Sequence, residues 1–148
     1  MGIVTTEITA SNRQDVILAA RGFMKPDAVR TLTLDNVLVD TGATTLCLPA
    51  DVIAQLGLEY QPNINVDTAS GSEKWRMFRE AHLFILDREG TFDCIELPEG
   101  REPLLGVVPM EMLGLEPDLK NRVLRALPMD DSGSYLLAYT AGHAEIKE

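Results

Sequence analysis

Apolar and polar positions alternate in short runs along most of the chain, and turn-forming residues bound each run. Gly2 to Thr9 reads as a strand through Ile3, Val4, Thr5, Thr6, Ile8 and Thr9, and Asp15 to Ala20 is a second apolar run. Arg21-Gly22 interrupts the pattern, and Lys25-Pro26-Asp27 predicts a loop. From Val29 to Leu34 the alternation is clean: Val29, Leu32 and Leu34 are apolar, whereas Arg30, Thr31, Thr33 and Asp35 are polar. Val37-Leu38-Val39 is a short, wholly apolar strand that runs directly into Asp40-Thr41-Gly42. Thr44 to Leu48 is extended again. Pro49 suits the first turn of a helix whose Val52, Ile53 and Leu56 share one face, and Gly57 ends it.

Beyond Pro62 the pattern predicts hairpins. Ile64 to Thr68 and Lys74 to Arg79 flank the small polar tip Ala69-Ser70-Gly71-Ser72. His82 to Leu86 and Thr91 to Leu97 flank the turn Asp87-Arg88-Glu89-Gly90. Leu104-Leu105-Gly106 precedes a short helix, Val108 to Leu113, closed by Gly114. Glu116 to Lys120 reads as a loop, Val123 to Leu127 as a strand, Asp130 to Ser134 as a turn and Tyr135 to Thr140 as a last strand. The polar tail, Gly142 to Glu148, is expected to fray. One internal echo stands out. A strand, a glycine-containing loop and a helix ending in Leu-Gly-Leu-Glu occur over Val37–Glu59 and again over Leu104–Glu116, as a pseudo-twofold would leave. The expectation is a mostly β fold with one or two short helices, spanning residues 1–148 as a single domain.

Composition narrows the function. The chain has 148 residues, 45% of them hydrophobic, and a domain of this size buries roughly 68–70% of its unfolded surface, so one core suffices. Thirteen basic residues against 23 acidic ones give a formal charge of −10, which repels nucleic acid and anionic membrane surfaces. No apolar run approaches the ~20 residues of a spanning helix, and Met1 to Glu7 lacks the charged start and apolar core of a signal peptide. Cys47 and Cys94 are too few for a disulfide framework or a zinc site. A soluble, cytoplasmic domain with no metal and no cofactor is expected. His82 and His143 have no partner at metal-ligand spacing, and Ser70, Ser72, Ser132 and Ser134 lack a Gly-x-Ser-x-Gly context, so a serine hydrolase is disfavoured.

The chemistry concentrates in Asp40-Thr41-Gly42-Ala43-Thr44. A carboxylate follows a buried strand, and a buried charge needs partners. The peptide N–H groups freed by Gly42 can supply them. An ordinary turn cap would use the same residue types, so the flanks decide. Val37-Leu38-Val39-Asp40-Thr41-Gly42-Ala43-Thr44 resembles the active-site signature of aspartic proteases, Leu104-Leu105-Gly106 looks like that fold's second marker, and the hairpin tip at Gly71 stands where such proteases carry a flap. The chain is therefore similar to the retroviral-type aspartic proteases, in particular the small prokaryotic relatives grouped as clan AA, over roughly Gly2 to Leu127.

The resemblance implies a retropepsin-like closed β-barrel and a homodimeric aspartic endopeptidase acting on a peptide or protein substrate. Such chemistry needs two adjacent carboxylates, one ionised as base and one protonated as acid. Two other strings fall short. Asp67-Thr68-Ala69 lacks the glycine, and Asp131-Ser132-Gly133 follows Pro128-Met129-Asp130, which is no buried strand. Asp40 of a second subunit is then the implied partner. By the same resemblance Asp40 activates the attacking water, Thr41 bonds across the dimer axis, and Gly42 donates its N–H to the carboxylate. Ala43 sits beside the substrate backbone, and Ser70, Gly71 and Ser72 close over a bound peptide. Gly106 lets its helix pack under the loop, Trp75 is a candidate pocket wall, and Ile3 to Ile8 with Tyr135 to Tyr139 are candidate dimer strands. The alternative reading is a non-catalytic peptide-binding or dimerisation module that keeps the fold.

Overall fold

The structure is a computed structural model that describes residues 3–67 and 74–132. Ser70, Gly71, Ser72, the expected last strand Tyr135 to Thr140 and the tail lie outside the described residues. In chain order the elements are β1 (Thr5–Asn12), α1 (Arg13–Ala20), β2 (Thr31–Val39), β3 (Leu46–Pro49), α2 (Ala50–Leu56), β4 (Glu59–Asp67), β5 (Lys74–Ile85), β6 (Arg88–Leu97), β7 (Leu104–Leu105), α3 (Val107–Met112), β8 (Leu115–Asp118) and β9 (Val123–Ala126). The sheet order is β1-β2-β7-β3-β6-β5-β4, and an added β1–β5 pairing closes six strands into a barrel with β4 outside on β5. The β8–β9 hairpin forms a separate sheet. Neighbours are mostly antiparallel, but β2 runs parallel to β7 and β3 parallel to β6.

Alternation fills the barrel. Ile8, Ala10, Val37, Leu46, Leu48, Leu83, Ile85 and Leu105 are buried together in one core. Each fully buried Leu or Ile contributes about 1.5–3 kcal/mol relative to an exposed one. The runs Val29–Leu34 and Val37–Val39 prove to be parts of one strand, and the first strand starts later than expected, at Thr5. Gly57 ends α2 at φ +64°, the left-handed conformation that glycine adopts without strain.

The apolar run Asp15–Ala20 belongs to a helix, beyond the two expected, and the reason lies at its ends. Asn12 Oδ1 accepts the Asp15 N–H (3.0 Å), while Asn12 Nδ2 donates to Leu56 O (2.9 Å) and Gly57 O (3.1 Å). One buried side chain thus caps the start of α1 and the end of α2. Asp15, itself buried, accepts from Arg30 N (3.1 Å), Nε (2.8 Å) and Nη2 (3.0 Å). These bonds, chiefly from the guanidinium, hold the Asp15 carboxyl below the usual carboxylate range. A folded-state pKa below the unfolded one makes the contribution complete above about pH 4, and it is lost as pH falls through the lowered value. Asp15→Asn is expected to cost about 1–3 kcal/mol at neutral pH. The gap from wild type, read by urea denaturation, should narrow towards about pH 3; a gap independent of pH would contradict this account.

Arg88 is buried at the start of β6. Its Nη1 donates to Leu113 O (3.0 Å) and Gly114 O (3.4 Å), and its Nη2 donates to Leu127 O. It thereby fastens the start of β6 to the end of α3 and the exit of β9. The expected loop Glu116 to Lys120 is in its first half the strand β8, paired from Leu115↔Ala126 to Asp118↔Val123.

Candidate active site

Strand β2 delivers Asp40 while held on both edges. Val39 N–H donates to Val4 O (2.9 Å), and on the other side Leu38 N–H donates to Pro103 O (3.0 Å) and Asp40 N–H to Leu105 O (3.0 Å). The chain then turns tightly. Gly42 N–H donates to Asp40 Oδ1 (2.8 Å), and Ala43 N–H donates to Asp40 O (3.1 Å). Asp40 is half-buried, whereas Thr41 and Gly42 are exposed. A carboxylate that accepts a short backbone bond is fixed in direction and still open to a ligand on its free side.

The loop is stitched to the strand–helix junction that follows β7. Val107 N–H donates to Ala43 O (2.9 Å) and Val108 N–H to Thr44 O (2.8 Å). Gly106 immediately precedes these two amides. A Cβ built there would stand 2.6 Å from Thr45 N and 2.7 Å from Ala43 O, and closer still to Thr45 O. Its backbone is extended (φ −91°, ψ −173°), so close approach, and not conformational freedom, demands the glycine. The structure thus brings Asp40, Thr41, Gly42, Ala43 and Gly106 into one hydrogen-bonded layer.

Strand register shows a feature that the sequence did not. Leu38 pairs with Leu104, Leu104 with Cys47, Cys47 with Ile95, and Ile95 with Met77, giving one apolar row across β2, β7, β3, β6 and β5. Register partners share a face. The residues one step away, Leu105, Leu46, Cys94 and Phe78, point into the core. The row therefore lies on the opposite face of the sheet, the face that Asp40 continues two residues after Leu38. Cys47 is 4% exposed; burial, reinforced by the Asp40 charge, pushes its thiol up to about 11. Burial raises Cys94 too, and both thiols are free. Thiols held so far from ionisation are poor nucleophiles at neutral pH.

Trp75, a candidate wall for a substrate side chain, lines a cavity of about 480 Å³ with Lys74, Arg76, Glu96 and Pro98. Arg76 makes a two-point ion pair with Glu96 (2.9 and 3.0 Å) and lies 5.3 Å from the ring centres of Tyr60 and Phe78. No residue of the Asp40 loop lines this cavity. Asp131 is exposed in a turn in which Asp130 Oδ1 accepts Ser132 N–H (3.0 Å) and Oγ–H (2.7 Å). His82 is buried between Thr91 Oγ1 (2.8 Å) and Glu89 Oε2 (2.7 Å). Among the described residues no group of three His, Cys, Asp or Glu side chains is placed to hold a metal.

A closed six-stranded barrel whose Asp-Thr-Gly loop is bonded to a Leu-Leu-Gly strand–helix junction is the retropepsin-like architecture. Residues 35–113 match the family described as "gag-polyprotein putative aspartyl protease", and the chain belongs to that family. Among solved structures the chain is similar to the retroviral protease-like domain of Ddi1 from Leishmania major. The TM-score is 0.52 at 14% identity, over 88% of this chain and 99% of that one, which shows the shared fold. A retropepsin-like aspartic protease from Rickettsia conorii aligns with a TM-score of 0.44 at 19% identity, over 79% and 83% of the two chains. No curated protein matches the chain in sequence.

Proposed function

We propose that the protein is a homodimeric aspartic endopeptidase of one domain, with Asp40 of each subunit as the catalytic carboxylate. The carrying observation is the Asp40 carboxylate itself, oriented by the Gly42 amide at the open end of a stitched loop. Across a twofold axis two such carboxylates about 3 Å apart cannot both ionise, so they share a proton and titrate as a pair. The ionised member accepts a proton from a water molecule as that water adds to the scissile carbonyl carbon. The protonated member gives its proton to the carbonyl oxygen. Collapse of the tetrahedral diol then breaks the C–N bond as the leaving nitrogen takes up a proton from one carboxyl of the pair and a diol hydroxyl gives its proton to the other carboxylate, which restores the singly protonated pair.

In this proposal Thr41, exposed beside Asp40, bonds across the axis, and Ala43 leaves room for the substrate backbone. The row Leu38–Leu104–Cys47–Ile95–Met77 offers an apolar wall to substrate side chains. Ser70, Gly71 and Ser72 retain the closing role that the family resemblance gave them. Among the described residues no helix is long and apolar enough to cross a membrane. A cytoplasmic setting belongs to the same proposal and rests on two buried, unbridged cysteines. The test is digestion of a denatured protein mixture by purified protein between mildly acidic and neutral pH. Cleavage suppressed by pepstatin is the expected result. A dimer that cleaves nothing across that range would leave the non-catalytic module as the surviving reading.

A further inference from the structure

Strand β5 buries residues that no unbroken strand could bury together. Phe78, Ala81, Leu83 and Ile85 all lie in the core. Yet Phe78 and Ala81 are three residues apart, and side chains on a regular strand return to one face every second residue. A bulge restores the phase. On β6, Cys94 pairs with Phe78 and Phe92 with Ala81, so Asp93 alone stands opposite Arg79 and Glu80. Glu80 takes φ +63°, a left-handed conformation that residues with a Cβ seldom adopt. Its N–H donates to Asp93 Oδ1 (3.0 Å). The bulge sits at a fork: along one edge β5 pairs with β4 up to Glu59↔Arg79, and with β1 from Asn12↔Ala81 onward.

The same phase decides which side chains of β5 face a substrate. Met77 ends the apolar row that starts at Leu38, and Trp75, two residues before it, shares its face. Continuing the Met77↔Ile95 register by two residues sets Trp75 against Leu97, and both line the cavity of about 480 Å³. Without the extra residue, and with Ala81, Leu83 and Ile85 still in the core, the alternation reverses. Phe78 then turns onto the wall, while Met77 and Trp75 turn inward. One residue of slack at Glu80 thus selects the side chains that the wall presents.

We propose that Asp93 is a positioning residue for substrate binding: its carboxylate holds the Glu80 bulge, and the held bulge keeps Met77 and Trp75 on the wall that leads from Asp40. The inference rests on the peptidase reading above, in which that wall receives substrate side chains. Asp93 acts through Glu80. A left-handed residue with a Cβ is costly to keep, and the bond from its amide to a carboxylate, stronger than one between neutral groups, offsets that cost.

Trp75 is the single tryptophan of the chain, so its fluorescence reports on the wall directly. Asp93→Ala should move the emission to longer wavelength and open Trp75 to acrylamide quenching, with circular dichroism unchanged. The kinetic probe is an internally quenched peptide taken from a site that wild type cleaves in the denatured protein mixture. On it Asp93→Ala should raise KM at least about fivefold and leave kcat within about twofold. Asp93→Asn, whose Oδ1 still accepts the Glu80 N–H, should match wild type in emission and KM. Glu80→Gly added to Asp93→Ala should restore both, because glycine takes φ +63° without strain. Wild-type emission and KM in Asp93→Ala would overturn the proposal, even if its melting temperature fell. A rise in KM that Glu80→Gly fails to reverse would overturn it as well. If wild type cleaves no peptide, the proposed enzyme falls, while emission across the variants still decides whether Asp93 positions Trp75.

Discussion

Asp40→Asn is expected to abolish peptide hydrolysis, by at least about a thousandfold in kcat/KM, while leaving the circular dichroism spectrum and melting temperature close to wild type. The amide is nearly the same shape as the carboxylate, and its oxygen still accepts the Gly42 N–H (2.8 Å in the wild type). What it loses is the capacity to take a proton from water and return one. The loss should also be dominant. When wild-type chains are mixed with a threefold excess of Asp40→Asn chains and allowed to exchange, about one quarter of the wild-type subunits remain in wild-type dimers, and activity should fall to that level. Activity that tracks wild-type concentration with no such fall would mean that one chain suffices for catalysis. Wild-type activity in a rigorously purified Asp40→Asn sample would remove Asp40 from the mechanism altogether.

Gly106→Ala should be nearly as damaging, through a different route. Its added methyl would press on Thr45 N at 2.6 Å and Ala43 O at 2.7 Å. Neither atom is free to retreat, because the loop that carries them is fastened by Val107 N–H to Ala43 O and Val108 N–H to Thr44 O. Overpacking against backbone costs about 3 kcal/mol, which for a domain of this size lowers the melting temperature by roughly 10 °C. Gly42→Ala offers a contrast, since its methyl would meet only a side-chain atom, Asp40 Oδ1, at 3.2 Å. Calorimetry on the two variants separates the positions. A Gly106→Ala melting temperature equal to wild type would mean that the junction is looser than its geometry shows.

Where the determinants of structure are local, the sequence is a good guide. Val37-Leu38-Val39 running into Asp40-Thr41-Gly42 marks both a buried strand and its chemical end, and turn residues mark most of the hairpins. The limits appear where a side chain acts across the fold. Val16, Ile17 and Leu18 read as an apolar run with no helical punctuation, and α1 depends on Asn12, whose bonds to Leu56 and Gly57 lie far along the chain. Glu116 to Lys120 read as a loop, yet Pro117 lies within β8, and a proline is tolerated on an edge strand. Gly106 was legible as a letter in a marker, but the backbone it clears, at Ala43 and Thr45, became visible only through the packing. In the sequence Cys47 counted only as one of two thiols, because its place in the row with Leu104 and Ile95 is a property of register, and register between distant strands is not written locally.

The parallel pairing of β2 with β7 also governs when the site can come into being. Leu38 meets Leu104, and the Asp40 amide meets the Leu105 carbonyl, so the loop bearing the carboxylate is completed by a segment synthesised long after it. The barrel closes through β1 and β5, again remote in sequence. Contacts of this span impose a large loop-closure entropy before they return any stabilisation, which places folding in the slow, β-rich regime of milliseconds to seconds. A chain still emerging during synthesis therefore carries Asp40 as an ordinary exposed aspartate until Leu105 and Gly106 arrive beneath it. Chain order thus delays assembly of the Asp40 loop until Leu105 and Gly106 have been made.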